Sequence, residues 1–229
     1  MKKLLVPAVA ALLVFSVVPV VMASQPNIVV DEAPAPVARL TAQDRRDLQR
    51  IEGYFNSLKP LEATFTQRAT GLDGSVGQVS GNLKLWRPGR LRIQYDAPSK
   101  DFIVADGANI YHWDDQMKQQ SQTGIDSTLA GFLLKRDLDF EGEDVTVVRV
   151  EHPVPQQMEV TLRSVKDPQA GEMTLVVQES PMQLLGWRVL DAQGVVTQVK
   201  LSNIKADQTF RRSDFVFRNP NFGNNRNNR

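Results

Sequence analysis

Apolar and polar residues alternate along most of the chain, and this two-residue period constrains the fold more than any other feature. Leu83 and Leu85 flank Lys84, and after a turn Leu91 and Ile93 repeat the pattern. Such alternation predicts strands with one buried face, and hairpin-length gaps between them predict an antiparallel sandwich or barrel. We expect strands over 61–70, 79–85, 90–95, 101–106, 109–114, 117–122, 145–151, 158–164, 173–179, 183–190, 195–204 and 213–217.

Two segments break the strand period and are predicted as helices. The first covers 42–58, where apolar residues recur at helical spacing and Thr41 offers an N-cap. The second is a short apolar helix within 125–136, which Asp126 or Ser127 could cap. One long and one short helix can cover the apolar face of a curved sheet.

The N-terminus has the pattern of an export signal. Two lysines precede an apolar run that ends in a small-residue cleavage pattern at Ala23, so 1–23 is predicted as a signal peptide. The alternative is an uncleaved membrane anchor, which two prolines in the run argue against. We expect a disordered leader over 24–40, one domain over 41–223, and a disordered tail over 224–229.

Composition excludes several classes of function. The chain has no cysteine, so disulfides, thiolate nucleophiles and Cys-ligated metals are excluded. Its net charge of +1 becomes about −1 once the two signal-peptide lysines are removed, which gives no electrostatic footprint for nucleic acid. With only His112 and His152, and no recognisable catalytic motif, we predict no enzyme activity, metal or cofactor.

Arg87 breaks the apolar pattern of its strand. By parity it shares a face with Leu83 and Leu85. It could be an exposed turn arginine that reaches outward, or an inward guanidinium at the rim of the interior. In the second case it needs acceptors, and the free carbonyls at a helix C-terminus are suitable ones. Such bonds could act as a latch between sheet and helix.

Several motifs, in order along the chain, resemble those of the periplasmic outer-membrane lipoprotein carrier (LolA) family. The most specific is the hairpin G-N-L-K-L-W-R-P-G-R-L-R-I at 81–93, followed by Pro98. The short helix lacks the proline that is frequent in the family. The other matching motifs are Phe65-Thr66-Gln67, the I-V-A-D-G of 103–107 with Ile110-Tyr111, Asp191 with Gly194, Leu201-Ser202-Asn203, and Phe215-Val216-Phe217 with Pro220.

The resemblance implies a mainly β fold with an α lid. The expected fold is an unclosed antiparallel β-barrel of about 11 strands, covered by an N-terminal helix and short inserted helices. The family's functional arginine corresponds to Arg87, whose bonds to lid carbonyls are thought to break when cargo enters. The acyl-chain cavity is expected to be lined by Phe65, Leu83, Leu85, Leu91, Ile93, Leu129, Phe132 and Leu133.

The resemblance also implies a location and partners. The expected protein is a periplasmic monomer that receives acylated lipoproteins from an inner-membrane lipoprotein-releasing transporter and passes them to an outer-membrane acceptor. The alternatives are a periplasmic sensor or regulator that binds lipids or lipoproteins, and a carrier of another lipid or glycolipid. For the short-helix residues Leu129, Phe132 and Leu133, spacing alone favours ordinary core over a lid.

Overall fold

An open antiparallel sheet dominates the computed structural model, which describes residues 39–222. Its strands follow the order β6-β5-β4-β3-β2-β1-β11-β10-β9-β8-β7, so within the described chain the sheet stays open between β6 and β7. The predicted mainly β fold with an unclosed sheet is confirmed. The strands are β1 (Leu61–Thr70), β2 (Val76–Trp86), β3 (Arg90–Tyr95), β4 (Phe102–Asp106), β5 (Asn109–Asp114), β6 (Gln119–Gly124), β7 (Val145–Val154), β8 (Gln157–Ser164), β9 (Gly171–Glu179), β10 (Met182–Asp191) and β11 (Val196–Lys205).

The N-terminal helix α1 (Ala42–Ser57) begins at the predicted cap. Thr41 Oγ1 accepts a hydrogen bond from the backbone N–H of Asp44 (3.1 Å), and the Asp44 carboxylate accepts one from the backbone N–H of Thr41 (2.7 Å). This reciprocal capping box satisfies two N–H groups that the first turn leaves free. The apolar face of α1 is buried through Leu48, Ile51 and Phe55.

The short helix differs from the prediction over 125–136. A 3-10 turn (Ile125–Ser127) precedes a six-residue helix, α2 (Leu129–Leu134). The cap is Thr128 rather than Asp126 or Ser127, because Thr128 Oγ1 accepts from the N–H of Gly131 (2.9 Å).

Residues 206–222 form a C-terminal strap across the sheet face opposite the helices, which we call the convex face. The predicted strand over 213–217 is wrong, because this part of the strap is a 3-10 helix (Arg212–Phe215) followed by unpaired chain. The alternation of apolar residues in this segment comes from packing against the sheet and not from strand pairing. Phe215 packs near Trp86 (ring centroids 5.9 Å) and Phe217 stacks on Tyr111 (5.0 Å), so both aromatic rings are held without strand pairing.

One further strand begins later than predicted. Residues 117 and 118 belong to a turn rather than to the strand expected over 117–122, since Lys118 has a positive φ of 55° and the Met117 N–H is bonded to Asp114 Oδ1. Strand β6 therefore starts at Gln119.

The predicted signal peptide (1–23), the predicted tail (224–229) and most of the predicted leader (24–40) lie outside the described residues. Among residues 39–222, none of the helices has the length and apolar character that crossing a membrane requires.

Gly81 allows a close approach between the paired strands β2 and β3. A Cβ atom at this position would lie 2.2 Å from the carbonyl oxygen of Gln94 and 2.7 Å from the Phe65 ring. We expect Gly81→Ala to lower the free energy of unfolding by about 1–3 kcal/mol through overpacking, measured by urea denaturation. Gly77→Ala on the same strand has no neighbour within 4 Å and should change it by less than about 0.5 kcal/mol. Equal effects of the two substitutions would contradict this account.

Candidate functional site

The concave face of the sheet and the two helices enclose one apolar cluster. Within it, the predicted cavity residues of the strands are buried, and Phe132 of α2 is 4% exposed. The other two α2 residues, Leu129 and Leu133, are partly buried against the same cluster. The structure therefore brings all eight predicted residues together, with the helices closed over the sheet; their role in binding acyl chains stays a prediction. The five strand residues are Phe65, Leu83, Leu85, Leu91 and Ile93.

Arg87 directly follows β2, and its guanidinium lies between the two helices. One terminal nitrogen donates to the carbonyl oxygen of Phe55 in the last turn of α1. The other donates to the carbonyl oxygen of Lys135, which follows the last residue of α2, at 2.5 Å. A single planar side chain thus joins the C-terminal ends of both helices, which suits the fork of donors on arginine.

The electrostatics of both helix ends favour a cation at this position. Neither helix carries a basic residue in its own last turn. The Arg87 guanidinium therefore meets the negative ends of both helix dipoles. Burial lowers the pKa of Arg87 to about 10, an effect that the nearby Asp137 carboxylate opposes, so the group stays charged at neutral pH. The guanidinium also lies 5.6 Å from the centre of the Phe55 ring.

The backbone of the same hairpin adds a further bond to α2. The N–H of Gly89 donates to the carbonyl oxygen of Leu134 (2.7 Å). The loop after α2 is in turn fastened to α1, because Asn56 Oδ1 accepts from the N–H of Leu138 (2.9 Å) and Glu52 Oε1 from the N–H of Phe140 (2.7 Å). The two helices and the R-P-G hairpin form one connected unit over the interior.

A second polar cluster holds the other half of α1 and was missed in the sequence. Asp47 is fully buried, accepts from Gln43 (2.9 Å) and Arg50 (3.0 Å), and lies 3.5 Å from His152 Nε2. His152 Nδ1 lies 3.0 Å from Glu179 Oε1, so the cluster joins α1 to β7 and β9. The sequence does contain one indication of this cluster. Asp47 lies four residues before the core residue Ile51, and side chains at this spacing are neighbours on one helix face.

The predicted F-x-Q motif lies in β1 with both of its side chains inward. Phe65 packs edge-to-face on Tyr95 (5.4 Å), and Gln67 Oε1 accepts from the Tyr95 hydroxyl (3.1 Å). Burial raises the pKa of Tyr95, which therefore remains a neutral donor. The motif thus satisfies a buried hydroxyl in an otherwise apolar interior.

The two histidines have separate surroundings. His112 in β5 is half-buried, and this burial lowers its pKa. The negative charges of Asp101 and Asp114 act in the opposite direction and partly restore the pKa. His152 belongs to the polar cluster with Asp47. No contact of the described residues links the two rings, so they do not form a shared site.

The model for the family described as outer membrane lipoprotein carrier protein LolA matches residues 56–218 of the chain. The chain belongs to this family. Two curated relatives are named outer-membrane lipoprotein carrier protein. One, from Pseudomonas putida strain GB-1, is 26% identical over 177 residues (75% of this chain, 84% of the relative). The other, from Legionella pneumophila strain Corby, is 28% identical over 179 residues (74% and 84%).

Solved structures also align with this LolA-family chain. A LolA superfamily protein from Nitrosomonas europaea matches with a TM-score of 0.45 and 13% identity, covering 74% of this chain and 97% of that one. A DUF1329 family protein from Desulfovibrio piger matches with a TM-score of 0.47 and 13% identity, covering 74% and 95%.

Proposed function

We propose that this protein is a periplasmic carrier that holds the acyl chains of lipoproteins released from the inner membrane and delivers them to the outer membrane. The observation that carries the proposal is Arg87, which fastens both helices over an apolar concave face through main-chain carbonyls. Membership of the LolA family and the names of the curated relatives support the lipoprotein-carrier role.

The apolar interior supplies the binding energy. Each buried methylene of an acyl chain is worth about 0.8 kcal/mol, so a lipidated protein does not leave a bilayer for water unaided. A carrier must offer an apolar environment close in quality to the bilayer. It must also release the chains again, which requires something that favours the empty state.

Arg87 is the group we propose for that release. In the closed structure it donates to carbonyls of both helices, and acyl chains need the space that the helices cover. Loading therefore separates these partners, and a hydrogen bond to a charged group is worth about 1.5–3 kcal/mol. This energy is regained when the cargo leaves, so it lowers cargo affinity without changing the apolar contacts.

The partners follow from the same proposal. We propose a monomer that receives cargo from an inner-membrane lipoprotein-releasing transporter and transfers it to an outer-membrane acceptor. No covalent bond is made or broken at any step, so the protein acts as a carrier rather than as an enzyme.

Mass spectrometry of molecules that co-purify with the protein from the periplasm tests this function. We expect triacylated or diacylated polypeptide, and we expect more of it with Arg87→Leu, whose closed form is weakened. Recovery of free lipid alone would favour a carrier of another lipid or glycolipid. Recovery of no acyl-containing molecule with either protein would contradict the proposed function.

A further inference from the structure

A groove lies on the convex face of the sheet, on the side away from the apolar interior. Its floor is formed by Lys84 of β2, Arg92 of β3 and Phe102 of β4. The C-terminal strap forms its wall, and the volume of the groove is about 380 Å³, which falls in the range of ligand pockets. The wall residues are Ser213, Asp214, Val216 and Arg218.

The strand register places two cations directly opposite each other in this groove. Lys84 pairs with Arg92 across β2 and β3, so both side chains leave the same face of the sheet. Like charges in this position are unfavourable unless something compensates for them. Arg218 adds a third positive charge and Asp214 is the single acid in the lining, which gives a local charge of +3 − 1 = +2.

The charges of the groove are poorly neutralised by the protein itself. Across residues 39–222, neither Lys84, Arg92 nor Arg218 forms an ion pair within 4.0 Å. The Asp214 carboxylate is already engaged, since it accepts from the backbone N–H of Arg211 (3.1 Å). Burial lowers the pKa of Arg92; Asp214 opposes this and Arg218 adds to it.

Aromatic contacts hold the groove in shape. The Arg92 guanidinium lies 5.3 Å from the centre of the Phe102 ring, and the Lys84 ammonium lies 5.4 Å from that of Phe210. Phe215 at the base of the strap is 1% exposed. The cations are therefore presented by two paired strands and an anchored strap, not by freely moving surface side chains.

We propose that this convex groove binds a phosphate-type oxyanion, supplied either as a soluble phosphate or as the phosphodiester of an anionic lipid headgroup. Arginine forks match phosphate oxygens in pairs, and lysine adds a point charge. An anion bound between Lys84, Arg92 and Arg218 attracts all three cations and offsets the repulsion among them. The site goes beyond the proposed carrier function, because it lies on the opposite face of the sheet from the acyl-binding interior.

Calorimetric titration of the full-length mature protein with inorganic phosphate, at ionic strength held constant with sodium chloride, tests the shared chemistry. Flotation with phosphatidylglycerol-containing vesicles, compared with pure phosphatidylcholine vesicles, tests the lipid source. We expect Arg92→Gln to weaken binding at least tenfold. Arg218→Gln on the exposed strap should do the same, and it covers the case in which the Arg92 variant fails to fold.

Arg68→Gln is the matched control. Arg68 is an exposed arginine on the same convex face, in β1 and outside the groove lining, so its removal changes net charge equally. Its effect should stay within about twofold. Binding of phosphate alone would identify a soluble ligand, and binding of anionic vesicles alone a lipid headgroup; either result supports the site. Binding of neither, or equal loss with Arg68→Gln, would overturn it.

Discussion

Replacing Arg87 by leucine is expected to leave cargo loading intact and to slow delivery to an acceptor by about ten- to a hundredfold. The guanidinium stabilises the closed, empty form through carbonyls of both helices, at Phe55 and Lys135. Loss of about 1.5–3 kcal/mol from that form raises the net affinity for cargo by the corresponding factor, since 1.4 kcal/mol is tenfold. The measurement is transfer of a purified acylated lipoprotein from the loaded protein to outer-membrane vesicles.

Two other variants separate the latch from a general effect of charge. Arg90→Leu makes the same change in the same hairpin, but Arg90 lies over the Trp86 ring (4.8 Å) and not at the helix ends, so delivery should be normal. Arg87→Lys retains the charge but cannot reach both carbonyls with a planar fork, so delivery should be intermediate. Normal delivery by Arg87→Leu would remove the latch from the mechanism.

Replacing Phe132 by glutamine is expected to lower the affinity for an acyl probe by about ten- to a hundredfold, and to cost more in binding than in folding. Burying a large apolar side chain is worth about 1.5–3 kcal/mol, and α2 supplies Phe132 to the apolar cluster. If α2 separates from the sheet to admit cargo, the rest of the fold does not depend on its contacts. Probe fluorescence and urea denaturation give the two free energies.

Phe215 provides the matched control for this prediction. It is buried as fully as Phe132, at 1% against 4% exposed, but it belongs to the strap and packs near Trp86 on the convex face. We expect Phe215→Gln to lower the free energy of unfolding by about 3–5 kcal/mol or more, which is the cost of truncating a buried phenylalanine. Its affinity for the probe should stay within about twofold of the unaltered protein. If Phe132→Gln and Phe215→Gln lose probe affinity and unfolding free energy in the same proportion, α2 is ordinary core and not a lid.

Contacts at both ends of α1 hold the helix against the rest of the protein. Arg87 holds its C-terminal turn, while the cluster around Asp47 holds its first half against β7 and β9. The Arg87 end is made of bonds to main-chain carbonyls, which water can replace when the helices move apart. The Asp47 end contains a fully buried carboxylate, which is costly to leave unpaired. We therefore expect opening to begin at the Arg87 end.

Local patterns determined the elements and the inward face. The two-residue period places Leu83, Leu85 and Arg87 on one face whatever the sheet does at long range, because successive side chains of a strand alternate. The capping box at Thr41 and the family motif around the R-P hairpin are equally local. The helical period of α1 was visible for the same reason, since its buried residues repeat every three or four positions.

Tertiary structure alone decided what these residues contact. The partners of Arg87 lie 32 and 48 residues away along the chain, and no local pattern identifies which carbonyls a guanidinium will reach. The same holds for the burial of Asp47, and for the strap, where the alternation of Phe215 and Phe217 predicts a strand that does not form. The physical reason is that alternation assigns a side chain to a face, whereas its partner depends on sheet curvature and on where the covering segments lie.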